Sequence, residues 1–176
     1  MGELLDKYRE LYLLSKEASA NEIDRIRRIE DKSAKMITLC GILIAFAGFV
    51  GKFVLGSFFP PNVIYDWLCL ISFFSFVVAI LYAFVNLLGV LNIINISIKP
   101  MNQQMITFFD QNSHINILYA LAKSNAEAIA FNTKQYYKKL WKLKCSYWAI
   151  HCSLAFIIIF IASQLFKAFV IFKRGG

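Results

Sequence analysis

The sequence predicts an all-α integral membrane protein with three transmembrane helices and long helical cytoplasmic extensions. Two observations carry this. First, 59% of the 176 residues are hydrophobic and only 17% are charged, against roughly half and a quarter in a soluble domain. Second, the excess is gathered into three blocks, each near the ~20 apolar residues that cross a bilayer. They are Met36–Phe59, Trp67–Leu91 and Tyr147–Phe166.

The N-terminus lacks the features of a cleavable signal, because residues 1–35 are densely charged and hold no apolar stretch. Asp6 stands where a myristoylation signal wants Ser or Thr. Orientation follows the bias of Lys and Arg towards the cytoplasm. Eight such residues lie in 1–35 and seven in the link 92–146, whereas the link between the first two spans holds none beyond Lys52 at its edge. The N-terminus and the long link are therefore expected in the cytoplasm. The expected organisation is cytoplasmic helices over 1–35, a transmembrane hairpin over 36–99, a cytoplasmic helical segment over 100–146, and a third span with a short tail over 147–176.

Each element has its own signal. Leu4, Leu5, Tyr8, Leu11 and Tyr12 share one side of an amphipathic helix over 3–18. Ser19-Ala-Asn-Glu22 reads as a capping box that starts a second helix. That helix, over 20–57, would be about 57 Å long at ~1.5 Å per residue, so its charged first turns project beyond the bilayer. Pro60-Pro61-Asn62 makes the outer turn. The second span's helix is expected to continue towards Ile98, with a boundary at Pro100. A short helix over 101–110 and capping chemistry at Asp110–Ser113 follow. From His114 to Phe172 no proline or glycine interrupts. That stretch reads as one helix or two nearly continuous ones, with Leu118, Leu121, Asn125, Ala128, Asn132, Tyr136, Leu140, Leu143 and Tyr147 in its period.

Span two carries a stripe of small and polar residues, Ser72, Ser75, Ala79, Tyr82, Asn86 and Gly89, on an otherwise apolar helix. Lipid cannot satisfy hydroxyls and amides, so this face should meet protein or water. Tight helix packing and a water-lined path both fit, and Ser72, Ser75, Tyr82 and Asn86 are the pore-lining candidates. Gly41, Ala45 and Gly48 form a small-residue face on span one suited to close helix contact. It ends at Lys52, placed to reach the headgroups and within conceivable reach of Asp66. The run Lys134, Lys138, Lys139, Lys142 and Lys144 below span three suits anionic lipid headgroups. With Tyr136, Tyr137 and Trp141 interleaved, it also suits a phosphate-bearing ligand or nucleic acid.

Catalysis is not expected. No phosphate-cradling glycine loop is present, and only Asp66, Asp110 and Glu127 carry carboxylates after residue 31. Cys40, Cys69, Cys145 and Cys152 lack metal-binding spacing, so neither metal nor cofactor is predicted. No arginine lies between Arg28 and Arg174, so neither His114 nor His151 has the preceding arginine of an Arg–His ribonuclease.

Three local patterns occur together. A charged helix enters span one through Ile29-Glu-Asp-Lys-Ser-Ala-Lys-Met-Ile-Thr, a proline-bearing turn leads to span two, and Asn132-Thr-Lys-Gln-Tyr-Tyr-Lys-Lys-Leu-Trp-Lys runs into span three. This layout resembles the transmembrane effectors of Pycsar systems. It is also similar to the small membrane accessory protein of type VI-B CRISPR loci. The resemblance implies a bacterial inner-membrane protein that homo-oligomerises, as a ring, into a pore and depolarises the membrane during antiviral defence. A cytoplasmic defence-system partner or a nucleotide signal would trigger it. A membrane adaptor that tethers a cytoplasmic partner is the alternative expectation.

Overall fold

The structure, a computed structural model, describes residues 2–58, 61, 63–92 and 103–175. They form four helices: α1 (Gly2–Phe58), α2 (Ile64–Leu91), α3 (Gln103–Gln111) and α4 (His114–Gly175). No strand occurs among the described residues. α1, α2 and α4 are long and apolar enough to cross a membrane. The chain divides into two compact units, Met1–Glu30 with Ile93–Leu140 and Asp31–Asn92 with Trp141–Gly176.

α1 is a single helix of 57 residues, which corrects the expected break at Ser19. A capping box needs its first residue outside helical geometry, and Ser19 lies within the helix. The Glu22 carboxylate instead accepts from Arg25 at 2.7 Å. Tertiary contacts on both sides of Ser19 hold the helix straight through it, as packing commonly overrides a local signal.

Those contacts build the first unit. Tyr8 meets Tyr119 edge-on at 6.0 Å, and Asn125 Nδ2 donates to Ser15 Oγ at 3.1 Å. The Arg25 guanidinium lies 4.4 Å from the Tyr136 ring centroid, and Lys139 Nζ pairs with Glu30. Partner numbers rise together, so α1 and α4 run parallel here. Ile26, Ile29, Ile117, Leu118 and Ala122 are buried. On α4 the inward residues Leu118, Asn125, Asn132 and Lys139 stand seven apart, a coiled-coil seam with polar groups at three of four positions. Ser113 caps α4, its Oγ accepting from Asn116 N–H at 3.4 Å and its carbonyl from Ile117 N–H at 3.1 Å.

The second unit uses the same spacing. Asp66, Phe73, Ile80 and Leu87 form one buried row on α2, and Cys69, Phe76, Ala83 and Val90 another. α1 contributes Ser33, Cys40, Ala47 and Val54, and α4 contributes Ser146, Ser153 and Phe160. A strict seven-residue repeat winds helices at shallow crossing angles, with side chains seated between facing residues. Many of these residues are small, which suits a membrane setting where close packing and hydrogen bonds, not water exclusion, bind helices. Phe73 and Phe160 meet at 6.0 Å in a core with Val54, Phe58, Cys69 and Leu70.

α2 runs antiparallel to α4. Asp66 meets Lys167, Cys69 meets Gln164, Ala83 meets Ser146, and Gly89 meets Lys142. At its start Asp66 reaches back to accept from the Val63 N–H at 3.3 Å. At its end Asn92 leaves helical geometry with ψ 129°. α2 thus stops short of Ile98, because Asn92 turns its backbone out of the helix. Residues 93–98, the Pro100 boundary and residues 101–102 of the expected short helix lie outside the described residues. So do Pro60 and Asn62 of the outer turn.

Candidate functional site

The polar stripe on α2 is divided by the fold. Ser72 lies at the edge of the buried rows, and its hydroxyl donates to the Leu68 and Cys69 carbonyls at 2.8 and 3.1 Å. Asn86 is half-buried, and its amide donates to the Tyr82 carbonyl at 2.9 Å within the same helix. Ser75, Ala79 and Tyr82, together with Phe74 and Val78, form one wall of a groove of about 820 Å³. This lies within the ~300–1,000 Å³ typical of small-molecule sites.

α4 supplies the other wall. Trp141, Cys145, Trp148, Cys152 and Phe156 recur at helical spacing beside the buried seam, with Ala149 between them and Lys144 the only charged lining residue among the described residues. Trp141 and Trp148 are largely exposed. The period of this aromatic and cysteine row is visible in the sequence, although its role as the wall of a groove is not, because that requires α2 opposite. His151 sits nearby on α4 and bonds its own helix, Nδ1 lying 2.7 Å from the Tyr147 carbonyl.

The basic run is dispersed by its contacts. Lys139 is buried and its ammonium is engaged by Glu30, so it is turned away from any headgroup. Lys142 Nζ donates to the Gly89 carbonyl at 3.2 Å, at the end of α2 where carbonyls lack intrahelical partners. Gly89 makes this possible, since an added Cβ would stand 2.8 Å from that nitrogen. Lys134, Lys138 and Lys144 are exposed. Lys144 has no hydrogen-bond or ion-pair partner among the described residues.

Gly41, Ala45 and Gly48 are exposed, about a quarter turn around α1 from its buried row. A Cβ added at Gly41 or Gly48 would meet nothing within 4 Å, whereas one at Gly51 would touch Phe73 at 3.4 Å. The small residues that pack within the chain are thus Ser33, Cys40, Ala47 and Gly51. The Gly41 face is left open. Lys52 continues this exposed side, and the conceivable pair with Asp66 is not made. Asp66 is bonded at 2.7 Å by Lys167, which also lies over the Phe58 ring at 4.5 Å. The antiparallel register of α2 and α4 sets that choice.

Electrostatics in the first unit centre on Glu22, Arg25 and Tyr136. The Tyr136 hydroxyl, and after it the Glu22 charge, hold the Arg25 guanidinium above its usual pKa. Among the described residues no group of three His, Cys, Asp or Glu is arranged to hold a metal ion. No family model, curated protein or solved structure matches this chain.

Proposed function

We propose that copies of this chain associate side by side in the bacterial inner membrane, with the N-terminus in the cytoplasm, and open a path through it. The observation that carries the reading is the open face of Gly41, Ala45 and Gly48. On a membrane helix, small residues that meet no neighbour among the described residues suit the close approach of a helix from another copy. Ser75, Tyr82 and Asn86 supply polar groups for such a path, and the resemblance of the sequence's layout to small antiviral membrane effectors supports permeabilisation as its purpose. A defence-system partner or nucleotide signal received by the first unit is the trigger that layout implies.

A membrane adaptor is the second reading. It is favoured by Leu4, Leu11, Leu13 and Leu14, exposed near the start of α1, which would suit a docked cytoplasmic protein.

Particle mass in nanodiscs tests the first reading, together with ion leakage from vesicles. A ring of five or more copies, reduced to monomer by the double variant Gly41→Leu and Gly48→Leu with loss of leakage, is the expected result. A parent protein that is monomeric and leaves vesicles tight would overturn it in favour of the adaptor.

A further inference from the structure

We propose that the groove between α2 and α4 binds one acyl chain of an anionic phospholipid, with Lys144 meeting its phosphate. The walls are almost wholly hydrocarbon and aromatic, so the occupant must be apolar along most of its length. The charge is at one place. Lys144 is exposed and has no partner among the described residues, whereas its neighbour Lys142 is engaged by Gly89. An ammonium that opens beside an apolar groove is complementary to an anion that carries a hydrocarbon tail.

The dimensions agree with a lipid of one leaflet. From Lys144 to Phe156 the groove follows α4 for about 18 Å at ~1.5 Å per residue. One leaflet contributes about half of a ~30 Å hydrocarbon core. Trp148, one turn from Lys144, is exposed and stands on the groove wall. Indole rings favour the level where headgroup meets tail, since one edge is polar and the body is not. A choline headgroup would bring a second fixed positive charge towards Lys144. A glycerol headgroup would not. One lysine near a membrane surface corresponds to about a fivefold preference for the anionic lipid.

The site is complete within one chain and needs only that the chain lie in a bilayer. Its failure would leave the assembly reading standing, and leakage measurements test that separately. If both hold, bound lipid covers Ser75 and Tyr82 in the resting protein and must leave before water passes.

Tryptophan fluorescence of the full chain carrying Trp67→Phe tests this, because the remaining indoles, Trp141 and Trp148, both line the groove. The protein is placed in phosphatidylcholine nanodiscs containing a small fraction of chain-brominated phosphatidylglycerol or chain-brominated phosphatidylcholine. The expected result is half-maximal quenching at about fivefold less of the glycerol lipid. Lys144→Gln is expected to remove the difference while leaving quenching itself, and Ala79→Phe to weaken quenching by both lipids. Equal quenching by the two lipids in the parent protein overturns the proposal. So does a preference unchanged in Lys144→Gln, or quenching lost as copies are added per disc, which would give the groove to a second chain.

Discussion

The buried pair of Lys139 and Glu30 allows an asymmetric test of the first unit. The Lys139 side chain is 2% exposed and that of Glu30 34%. Removing one partner of a buried pair is destabilising by about 3–5 kcal/mol, because the other charge stays buried. The third of Glu30 that meets solvent screens the pair and places the loss at the lower end of that range. Glu30→Ala deprives a wholly enclosed ammonium of its carboxylate, so about 3 kcal/mol is expected. Lys139→Met keeps the apolar stem and leaves a carboxylate able to turn to water, so about 1–2 kcal/mol is expected. The double variant replaces the pair with apolar atoms, which is often near neutral, and should be more stable than Glu30→Ala alone. Thermal unfolding of the full chain in one detergent, followed by helical circular dichroism, reads these differences. At about 2–4 °C per kcal/mol for a chain of this size, Glu30→Ala should lower Tm by roughly 6–12 °C. Equal shifts for both single variants, or a double variant at their sum, would refute the burial argument.

Two further substitutions follow from the second unit. Gly89→Ala should change stability by less than about 1 kcal/mol. The lost bond from exposed Lys142 is offset by the ~1 kcal/mol gained when alanine replaces a helical glycine, and a Tm loss of 10 °C would show that the glycine has another role. Asp66→Asn keeps an acceptor for the Val63 N–H but removes the charge that Lys167 meets. It should lower Tm by several degrees, and Lys167→Met added to it should recover part of that loss. A further drop would mean that the ion pair is not what ties α2 to α4.

Much of the helical framework was legible because apolar blocks and helical periods are local properties. The period read along α4 matches the fold at Leu118, Asn125 and Asn132, at Tyr136, which lies under Arg25, and at Leu143, which is buried, but not at every member. It also took in Leu140 and Tyr147, whereas the buried row that holds Asn132 continues through Lys139 and Ser146. A lysine is not expected inward unless its partner is known, and Glu30 lies 109 residues earlier. The same limit applies to Asp66, whose nearer cation Lys52 was legible and whose actual partner Lys167 depends on the register of two distant helices. At Ser19 the local signal was real chemistry, overridden by contacts from Tyr8 and Ser15 to α4. The groove was hidden for a related reason. Its α4 wall was written as a period, but a cleft exists only when two walls meet.

The parallel pairing of α1 and α4 also restricts how this chain can change in length. Ser15 and Asn125 are 110 residues apart, and Glu30 and Lys139 are 109. One codon gained or lost within α1 between Ser15 and Glu30 would swing everything beyond it by about 100°. The Glu30 carboxylate would then point away from its buried lysine. Insertions are absorbed only in matched sevens, made in both helices at once. Related chains should therefore hold α1 and α4 in step, so that a genetic screen for tolerated duplications would map the seam without a structure.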